Sequence, residues 1–339
     1  MKFRILPLIN DLDPYEQFAL DNSILEQASM GYVPPTLRFY TIKSIAISIG
    51  YFNDLHRCVD VEKVQALGIP IIRRISGGNS ILHNNENDLM YSLIIPHTSM
   101  KIALEYVARI VEGSLRKLNI SITYDDLDKF YVGNRIIGEM ICARRGGAIL
   151  VQGVIRIRSK AEELMNMLFK HVNMKNIPHE QLAKYTTFEE LGIKNIDIDI
   201  VTNSIINELK NYVDLFEGSI SENELRLTDE IVTKYRSWDW LFSRYSEGYR
   251  VKVKKCKYKK YVEIAMTVSK GIITRCLIAG NFYAYPESAI DALQKSLVNK
   301  RDVNKIRNII SSLKAELIGI EINDLIDVTL APYKELSSL

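Results

Sequence analysis

The sequence feature that most constrains the fold is an alternating stretch that runs from Lys129 to Ile157. It reads KFYVGNRIIG and then EMICARRGGAILVQGVIRI, a pattern typical of successive β-strands. Gly146-Gly147 stands where a tight hairpin turn is expected. The stretch therefore predicts a β-meander, so part of the chain must form an antiparallel sheet.

The residues before the meander predict helices that flank this sheet. Apolar spacing predicts helices over 14–29 and Ile102–Leu118, and a short helix over Val61–Leu67. Short apolar runs predict strands over Leu37–Tyr40, Ile45–Phe52, Ile71–Arg74, Ile81–His83 and Leu89–Pro96. These elements predict the α+β class, with a large mixed β-sheet domain flanked by helices.

A second, smaller unit is predicted after residue 227. Residues 160–227 are expected to be mainly helical, with breaks at Pro178 and Gly192. Beyond them, strands are expected over Arg250–Tyr258, Tyr261–Ser269 and Ile272–Ala279, and helices over Ser288–Leu297 and Val303–Leu317. A chain of 339 residues is long enough for two domains. We therefore expect a larger domain over 1–227 and a smaller α+β domain over 228–339.

Composition excludes several classes of protein. The chain has 44 basic and 41 acidic residues, a balance that argues against a nucleic-acid binder. It has no apolar run of the roughly 18 residues that a membrane span needs. Its 4 cysteines include no C-x-x-C pair, and its 5 histidines are scattered, so neither a disulfide scaffold nor a zinc site is expected. We expect a cytoplasmic monomer without nucleic-acid or membrane partners.

A basic run, Lys252–Lys260, could indicate an anionic partner. The simpler interpretation is a strand and turn whose lysines face water, since sheet edges commonly carry lysine.

The stretch from Arg73 to His83 carries the strongest sign of chemistry. A strand leads into Ser76-Gly77-Gly78, and a new strand starts directly afterwards. Glycines let a backbone approach a ligand, and successive N–H groups in such a turn can hold an anion. Arg74 adds a permanent charge suited to phosphate or carboxylate. Without further signals, the same pattern also describes an ordinary turn.

Several motifs in order resemble those of the lipoate–protein ligases, within the wider biotin and lipoate protein ligase superfamily. They are Ala19–Leu25, Leu37–Tyr40 with Gly50–Asn53, Arg73-Arg74-x-Ser76-Gly77-Gly78, His83, Tyr91-Ser92 and Arg135-Ile136-x-Gly138. Trp238, Trp240 and Gly280-Asn281-Phe282 resemble the accessory domain of two-domain ligases. The resemblance covers nearly the whole chain.

The resemblance implies a two-step reaction on lipoate or octanoate. The acid reacts with ATP, assisted by Mg²⁺, to give an acyl-adenylate, and a lysine of a lipoyl carrier protein then takes the acyl group. The carrier would be an E2 lipoyl domain or a protein like the glycine-cleavage H-protein. A magnesium ion usually keeps several waters and needs only one or two carboxylates, so no obvious metal motif is required.

Motif matching assigns roles to individual residues. Arg135 and Asp128 would be catalytic, and Asp128 would lie near the metal. Arg135 and Arg74 would hold the substrates, Ser76, Gly77 and Gly78 would shape the loop, and His83 would orient it or serve a purely structural role. The backbone of Asn79, Ser80, Ile81 and Leu82 would contact the nucleotide and acyl group, with Ile75, Ile81 and Leu82 beside the acyl chain.

Three motifs depart from the family pattern. Arg135 replaces a lysine expected to contact the acyl carbonyl and the phosphate, and arginine is larger and planar. Asn79 replaces a third glycine, which asparagine can do because it tolerates a left-handed backbone. Gln152-Gly153-Val154 replaces His-Gly-Thr, which removes a hydroxyl from the expected site.

These departures leave other functions open. An octanoyl or lipoyl transferase on the same fold would use a cysteine thioester, and in such relatives the cysteine precedes the lysine motif. Residues 119–128 contain no cysteine, and Cys142 lies on a predicted core strand. The alternatives are such a transferase, a biotin ligase, or a catalytically impaired paralogue that binds the carrier or the acyl-adenylate.

Overall fold

A large mixed β-sheet forms the centre of the molecule, seen in a computed structural model that describes residues 2–84, 88–97, 99–158, 184–247 and 249–337. Within these ranges nine strands build the sheet. They are β1 (Lys2–Ile5), β2 (Thr36–Tyr40), β6 (Asp88–Pro96), β7 (Thr123–Asp125), β8 (Lys129–Val132), β9 (Arg135–Arg145), β10 (Ala148–Arg156), β11 (Lys184–Tyr185) and β12 (Asp214–Glu217).

The strand order is β12-β1-β2-β6-β10-β9-β8-β7, with β11 beside β9. β1 runs parallel to both of its neighbours, whereas β6, β10 and β9 are antiparallel. Arg145 pairs with Ala148, so Gly146-Gly147 forms a two-residue turn in which Gly146 has a φ of +49°. The predicted meander is therefore confirmed.

Helices cover both faces of the sheet because the central strands present apolar side chains on both faces. On β6, Leu89, Tyr91 and Leu93 join the apolar cluster that includes α4 (Met100–Lys117) and α5 (Ile198–Leu209). Met90 and Ile94 face the opposite cluster. There they meet α1 (Pro14–Ser29) and α6 (Glu222–Tyr235). The predicted α+β class, with a mixed sheet between helices, is confirmed.

A small three-stranded sheet lies beside the large one. It has the order β4 (Ile71–Arg73), β3 (Ala46–Ile49), β5 (Ile81–His83), and short helices α2 (Leu55–Cys58) and α3 (Val61–Ala66) connect β3 to β4. The pairing of β3 with both neighbours brings residues 74–80, between β4 and β5, to one end of this sheet.

The C-terminal part of the chain forms a second, smaller set of α+β elements. Its elements are β13 (Arg250–Lys255), β14 (Tyr261–Ser269), β15 (Ile272–Gly280), β16 (Tyr283–Tyr285), α8 (Ser288–Leu297), α9 (Val303–Ser311), β17 (Glu316–Ile318) and α10 (Ile322–Ser337). Strands β13, β14 and β15 form one sheet and β16 pairs with β17. We call residues 249–337 the C-terminal unit. The prediction of a helix over Val303–Leu317 is wrong at its C-terminal end, because the helix ends at Ser311 and Glu316–Ile318 forms β17.

The expected domain boundary at residue 227 falls inside α6, whose Ile231, Val232 and Tyr235 pack against α1. The next helix, α7 (Trp238–Leu241), contacts β4, where Trp240 Nε1 donates to the Arg73 carbonyl at 2.7 Å. Division into two domains stays a proposal, and we place its boundary after α7.

The helical prediction for residues 160–227 falls partly on residues 159–183, which lie outside the described ranges. Within the remainder, α5 and α6 are helical, but β12 is a strand that the prediction missed. None of the described helices has the length and apolar character needed to cross a bilayer.

Candidate functional site

Arg74 organises the glycine loop between β4 and β5. Its Nε donates to Ser76 Oγ at 3.1 Å, and Nη2 donates to the carbonyls of Asn79 at 2.6 Å and Gly77 at 3.4 Å. Nη1 donates to Ser48 Oγ. Burial lowers the pKa of the Arg74 guanidinium to about 10, so it remains charged at neutral pH. In this conformation Arg74 holds the loop through the loop's own oxygens.

His83 is tied to the same network. Its Nε2 lies 2.6 Å from Ser48 Oγ. Because Ser48 accepts from Arg74, its hydroxyl proton is free to point at His83 Nε2. Burial, reinforced by Arg74 and Arg156, lowers the pKa of His83 well below its ordinary value, so the ring is neutral. The other ring nitrogen, Nδ1, has no hydrogen-bond partner among the described residues.

The two loop glycines lie directly against the C-terminal unit. A Cβ on Gly77 would lie 2.3 Å from the Phe282 carbonyl oxygen, and one on Gly78 would lie 2.6 Å from Tyr283 Oη. Gly78 has a φ of +89°, and its N–H donates to the Phe282 carbonyl at 3.3 Å. The glycines are therefore needed for close approach.

Asn79 has a different role from the one expected. The left-handed backbone is at Gly78, and Asn79 does not have a positive φ. Its side chain instead joins two parts of the chain. Nδ2 lies 3.4 Å from Asp128 Oδ2, and Oδ1 accepts from Asn281 Nδ2 at 2.6 Å. A glycine at this position would lack both contacts.

Asp128 is the buried centre of a cluster built from both parts of the chain. Its Oδ2 accepts from Lys260 Nζ and from Tyr283 Oη, the latter at 2.9 Å, as well as from Asn79. Both Asp128 and Lys260 have side chains only 1% exposed. Its other oxygen, Oδ1, has no hydrogen-bond partner among the described residues. The C-terminal unit thus completes the surroundings of a residue assigned to the site from sequence.

A second buried charge network lies between β10, β9 and β11. Arg156 Nη1 lies 3.2 Å from Asp88 Oδ2, and Arg156 Nη2 lies 3.5 Å from Glu139 Oε2. Tyr185 Oη donates to Glu139 Oε1 at 3.1 Å. Burial raises the pKa of Glu139, while Lys129 and Arg156 act in the opposite sense. The field of this network reaches Arg74 and His83.

Arg135 lies apart from the contacts of Arg74 and Asp128. Its Nη2 donates to the Tyr185 carbonyl at 3.2 Å and lies 3.6 Å from Glu190 Oε2, and its side chain is about a third exposed. The structure thus places Arg135 at the start of β9, against the residues that follow 183. Its catalytic role stays a proposal.

The remaining predicted site residues divide between the loop and the core. Ser76, Gly77 and Gly78 form the loop as expected, and Ser80 donates to Asn53 Oδ1 at 3.1 Å. Ile75 and Ile81 are buried in the cluster against α1, and Leu82 is buried with β3 and α2. Their side chains are core residues in this conformation, and their contact with an acyl chain stays a proposal.

The third departure from the family pattern, Gln152-Gly153-Val154, lies beside buried polar side chains. Gln152 Nε2 donates to Asp21 Oδ2 at 2.7 Å, and the Tyr91 ring covers Gly153 so closely that a Cβ would lie 2.1 Å from Cζ. Val154 packs in the apolar cluster against α1. In this chain position 154 is therefore a core position.

The cysteines offer no activated thiol within the described part of the chain. Cys142 is buried in the apolar cluster beneath the sheet, and burial raises the pKa of its thiol well above the ordinary value. Burial likewise raises the pKa of Cys58 to about 12. A low pKa and an electropositive, accessible setting mark nucleophilic cysteines, and neither residue has both. Cys142 is a core residue, as expected.

The residues present do not fit a magnesium site in this arrangement. No group of three histidine, cysteine or carboxylate side chains clusters within the described ranges, but Mg²⁺ needs only one or two carboxylates, so the test falls on Asp128. Asp128, the residue expected near a metal, is already paired with the Lys260 ammonium. A cation and this ammonium would compete for one carboxylate, so we derive no step through a metal.

Lys260 is the site residue that sequence reasoning missed. The interpretation of the basic run as solvent-facing holds for Lys252, Lys254 and Lys257, which pair with carboxylates at the surface. It is wrong for Lys260, which is buried. The available signal was its place at the end of the run, directly before the strand Tyr261–Ser269.

Comparison with known proteins agrees with this geometry. The family model of the lipoyl protein ligase A/B catalytic domain matches residues 13–210. An octanoyltransferase LipM of Clostridioides difficile is 32% identical over 259 residues, which is 66% of this chain and 92% of that protein. An octanoyltransferase LipM of Staphylococcus aureus is 26% identical over 265 residues, 68% of this chain and 95% of that protein.

Solved structures agree on the fold. The P. falciparum LipL1 structure in complex with lipoate covers 99% of this chain and 100% of its own, with a TM-score of 0.76 at 16% identity. A bipartite lipoate protein ligase of Thermoplasma acidophilum, solved with its E2 lipoyl domain, covers 71% of this chain and 96% of its own, with a TM-score of 0.63 at 24% identity. Since the family model spans more than half of the residues, this chain belongs to the lipoyl protein ligase A/B catalytic-domain family.

Proposed function

We propose that this protein transfers an octanoyl or lipoyl group from a thioester donor to a lysine of a lipoyl carrier domain. We thus favour the transferase alternative over the ATP-dependent ligase that the family resemblance implies. The observation that carries it is the likeness to octanoyltransferases over more than nine tenths of their own length. The family model, matched over residues 13–210, includes the glycine loop and the strands around Asp128.

The proposed transfer is a direct aminolysis of the thioester. The amine nitrogen of the carrier lysine attacks the thioester carbonyl carbon and forms the new C–N bond. The C–S bond then breaks, the electron pair leaves on sulfur, and the sulfur takes the proton that the amine gives up. Negative charge develops on the carbonyl oxygen in between, and fixed buried cations stabilise such charge strongly.

The lack of an activated thiol departs from the cysteine thioester expected of a transferase on this fold, so the proposed route differs at this step. Cys142 is buried in the core, and no cysteine occurs in 119–128. The carrier lysine would therefore attack the donor thioester directly, without an acyl group on the enzyme.

The partner in this proposal is a lipoyl carrier domain. An E2 lipoyl domain accompanies the T. acidophilum relative in its structure, and the same class of partner is proposed here. The whole chain carries 44 basic and 41 acidic residues, so we base the partner on the reaction and not on net charge.

A second candidate is ATP-dependent ligation of free lipoate or octanoate. The same missing cysteine favours it, because an adenylate route needs no enzyme thiol. Relatives of the same fold include a lipoate-protein ligase A bound with ATP, at 23% identity. ATP and Mg²⁺ would then be required as substrate and cofactor.

Separate reactions distinguish the two candidates. The purified chain is mixed with an E2 lipoyl domain and either octanoyl-acyl carrier protein without ATP, or octanoate or lipoate with ATP and magnesium. The carrier domain is then weighed by mass spectrometry. A second carrier, the glycine-cleavage H-protein, is run beside the first, and a carrier with its acceptor lysine changed to arginine serves as control.

Transferase activity predicts an acylated carrier in the thioester reaction without ATP. Acylation only with ATP would favour the ligase instead. A carrier left unmodified in every reaction would contradict both candidates and leave a binding protein without turnover.

A further inference from the structure

Lys260 is held in the site by a specific local structure. It follows the tight turn Lys257–Lys259, in which Tyr258 and Lys259 have φ values of 54° and 52°. Non-glycine residues rarely adopt a left-handed backbone, and two in succession are uncommon. The turn lies against residues 126–131, where Lys259 Nζ is 2.8 Å from Asp126 Oδ2. This geometry directs Lys260 toward Asp128.

Space for the Lys260 side chain depends on a glycine of the C-terminal unit. A Cβ on Gly319 would lie 2.5 Å from Lys260 Cγ. Gly319 also has a φ of +87°, which favours glycine independently. The aliphatic part of the Lys260 side chain therefore occupies space that any residue larger than glycine at position 319 would fill.

The buried ion pair leaves hydrogen-bonding capacity unused on both partners. An ammonium has three N–H donors, and Asp128 Oδ2 is the acceptor that Nζ has among the described residues. Asp128 Oδ1 has no partner there. A buried charge is strongly unfavourable unless its hydrogen bonds are satisfied. The unused donors of Lys260 can donate to an oxygen acceptor of a bound molecule.

The position of Lys260 connects it to the glycine loop. The Asp128 oxygen that accepts from Lys260 also lies 3.4 Å from Asn79 Nδ2, and Tyr283 contacts both Asp128 and Gly78. Burial lowers the pKa of Lys260, and the Asp128 charge opposes this shift. By contrast, Arg135 contacts Tyr185 and Glu190.

We propose that Lys260 is a catalytic residue whose ammonium binds the acyl carbonyl oxygen of the substrate. The C-terminal unit would then supply the cation that stabilises charge on that oxygen. This assignment rests on the proposed acyl-transfer function, and it makes the docked C-terminal unit part of the active site.

Binding of octanoate by calorimetry tests this assignment without requiring turnover, because its carboxylate offers the same kind of oxygen acceptor. Three variants are compared with the wild-type chain: Lys260→Met, Asp128→Asn, and the two combined. The combined variant retains no unpaired buried charge, so it keeps the test valid if Lys260→Met alone fails to fold. Lys257→Met, at an exposed position of the same turn, is the matched control.

The expected result separates ligand contact from a structural ion pair. Octanoate affinity should fall about 10- to 100-fold in Lys260→Met and in the combined variant, as for loss of a charge-assisted hydrogen bond. It should be retained in the control Lys257→Met, and it should fall less in Asp128→Asn, which keeps the Lys260 ammonium, than in the combined variant. Asp128→Asn also breaks the ion pair, so a purely structural role predicts equal effects of Asp128→Asn and the combined variant.

Equal octanoate affinity in Asp128→Asn and the combined variant would overturn the assignment, and so would a wild-type chain that does not bind octanoate. Transfer assays on the same proteins separate the two proposals. If wild type transfers no acyl group but binds octanoate through Lys260, the proposed reaction fails and the binding role stands. If wild type transfers and Lys260→Met retains its kcat and KM, the catalytic role fails alone.

Discussion

At the scale of single residues, Asp21 shows how a buried charge can be fully satisfied. Its Oδ1 accepts from Arg38 Nη1 and Ser92 Oγ, both at 2.7 Å. Its Oδ2 accepts from Tyr40 Oη and Gln152 Nε2, also at 2.7 Å. These bonds join α1 to three neighbouring strands of the sheet, so this carboxylate specifies how the helix sits on the sheet.

Asp21→Ala should lower the free energy of unfolding by about 3–5 kcal/mol, because it leaves the buried Arg38 charge without its partner. Urea unfolding at neutral pH measures this loss. Asp11→Ala, at an exposed position just before α1, should change little. Equal stability of the Asp21 and Asp11 variants would contradict this account of the polar core.

Glu263 makes the free energy of unfolding depend on pH. Burial raises the pKa of Glu263 to about 7, although the Arg57 guanidinium, 2.7 Å away, acts against this shift. The folded chain therefore holds a proton that the unfolded chain releases near pH 4.3. The stabilisation is present below that pH and is lost as the pH rises through about 7.

Glu263→Gln imitates the protonated carboxyl and should remove this dependence. Between pH 5 and pH 8, wild type should lose about 2–3 kcal/mol of unfolding free energy relative to Glu263→Gln. Urea unfolding across this range provides the measurement, with exposed Glu62→Gln as control. A constant difference between wild type and Glu263→Gln would show that Glu263 keeps an ordinary pKa.

The limits of sequence reasoning are clear at this scale. The glycine loop and Asp128 can be proposed from the sequence because their motifs follow the family's order along the chain, and their roles stay predictions. Lys260 cannot be proposed in this way, because it meets Asp128 across 132 positions of sequence and no local pattern reports such a contact. The role of Asn79 was missed for the same reason, since its partner is Asn281.

At the scale of elements, the loop between β4 and β5 is built to receive the C-terminal unit. Gly77 has no positive φ, so its requirement for glycine is one of space alone. The obstacle is the Phe282 carbonyl oxygen, 2.3 Å from the point that an alanine Cβ would occupy, and backbone cannot move aside as a flexible side chain does.

Gly77→Ala should therefore destabilise the chain by about 1–3 kcal/mol, as overpacking does in a closely packed interior. Gly147→Ala is the matched control, because a Cβ there meets nothing within 4 Å. The difference in urea unfolding free energy between the two variants is the measurement. Equal stabilities would mean that the loop and residues 282–283 do not make this contact in solution.

Elements were predicted well where periodicity was local. The sequence predicts the meander, α1 and α4 because the apolar pattern of each is complete within its own residues. β1 and β12 were missed because they pair with each other across distant parts of the sequence, at the edge of the sheet, and no local pattern reports that pairing. The helix expected through Leu317 ended early because Glu316–Ile318 pairs with β16.

At the scale of the whole molecule, the two parts of the chain are joined by apolar contact as well as by the site. Phe52 stacks on Phe282 with ring centroids 4.5 Å apart, and Tyr283 and Ile318 belong to the apolar cluster beneath the large sheet. The hydrogen bond between Asn79 and Asn281 lies at the same junction. Docking of the C-terminal unit and organisation of the loop should therefore be coupled.

A double-mutant cycle with Asn79→Ala and Asn281→Ala should give a coupling free energy of about 1 kcal/mol in urea unfolding. Pairing Asn79→Ala with Asn304→Ala, at an exposed position of α9, should give additive effects. Additivity in both cycles would indicate that the two parts are not docked through this contact in solution.

The central claim is that the chain transfers an acyl group from a thioester to a carrier lysine. One reaction containing deuterated octanoyl-acyl carrier protein, ordinary octanoate, ATP, magnesium and an E2 lipoyl domain tests it most directly. The mass of the modified carrier identifies the donor. The account predicts a deuterated octanoyl group on the carrier lysine, and an undeuterated group or an unmodified carrier would contradict it.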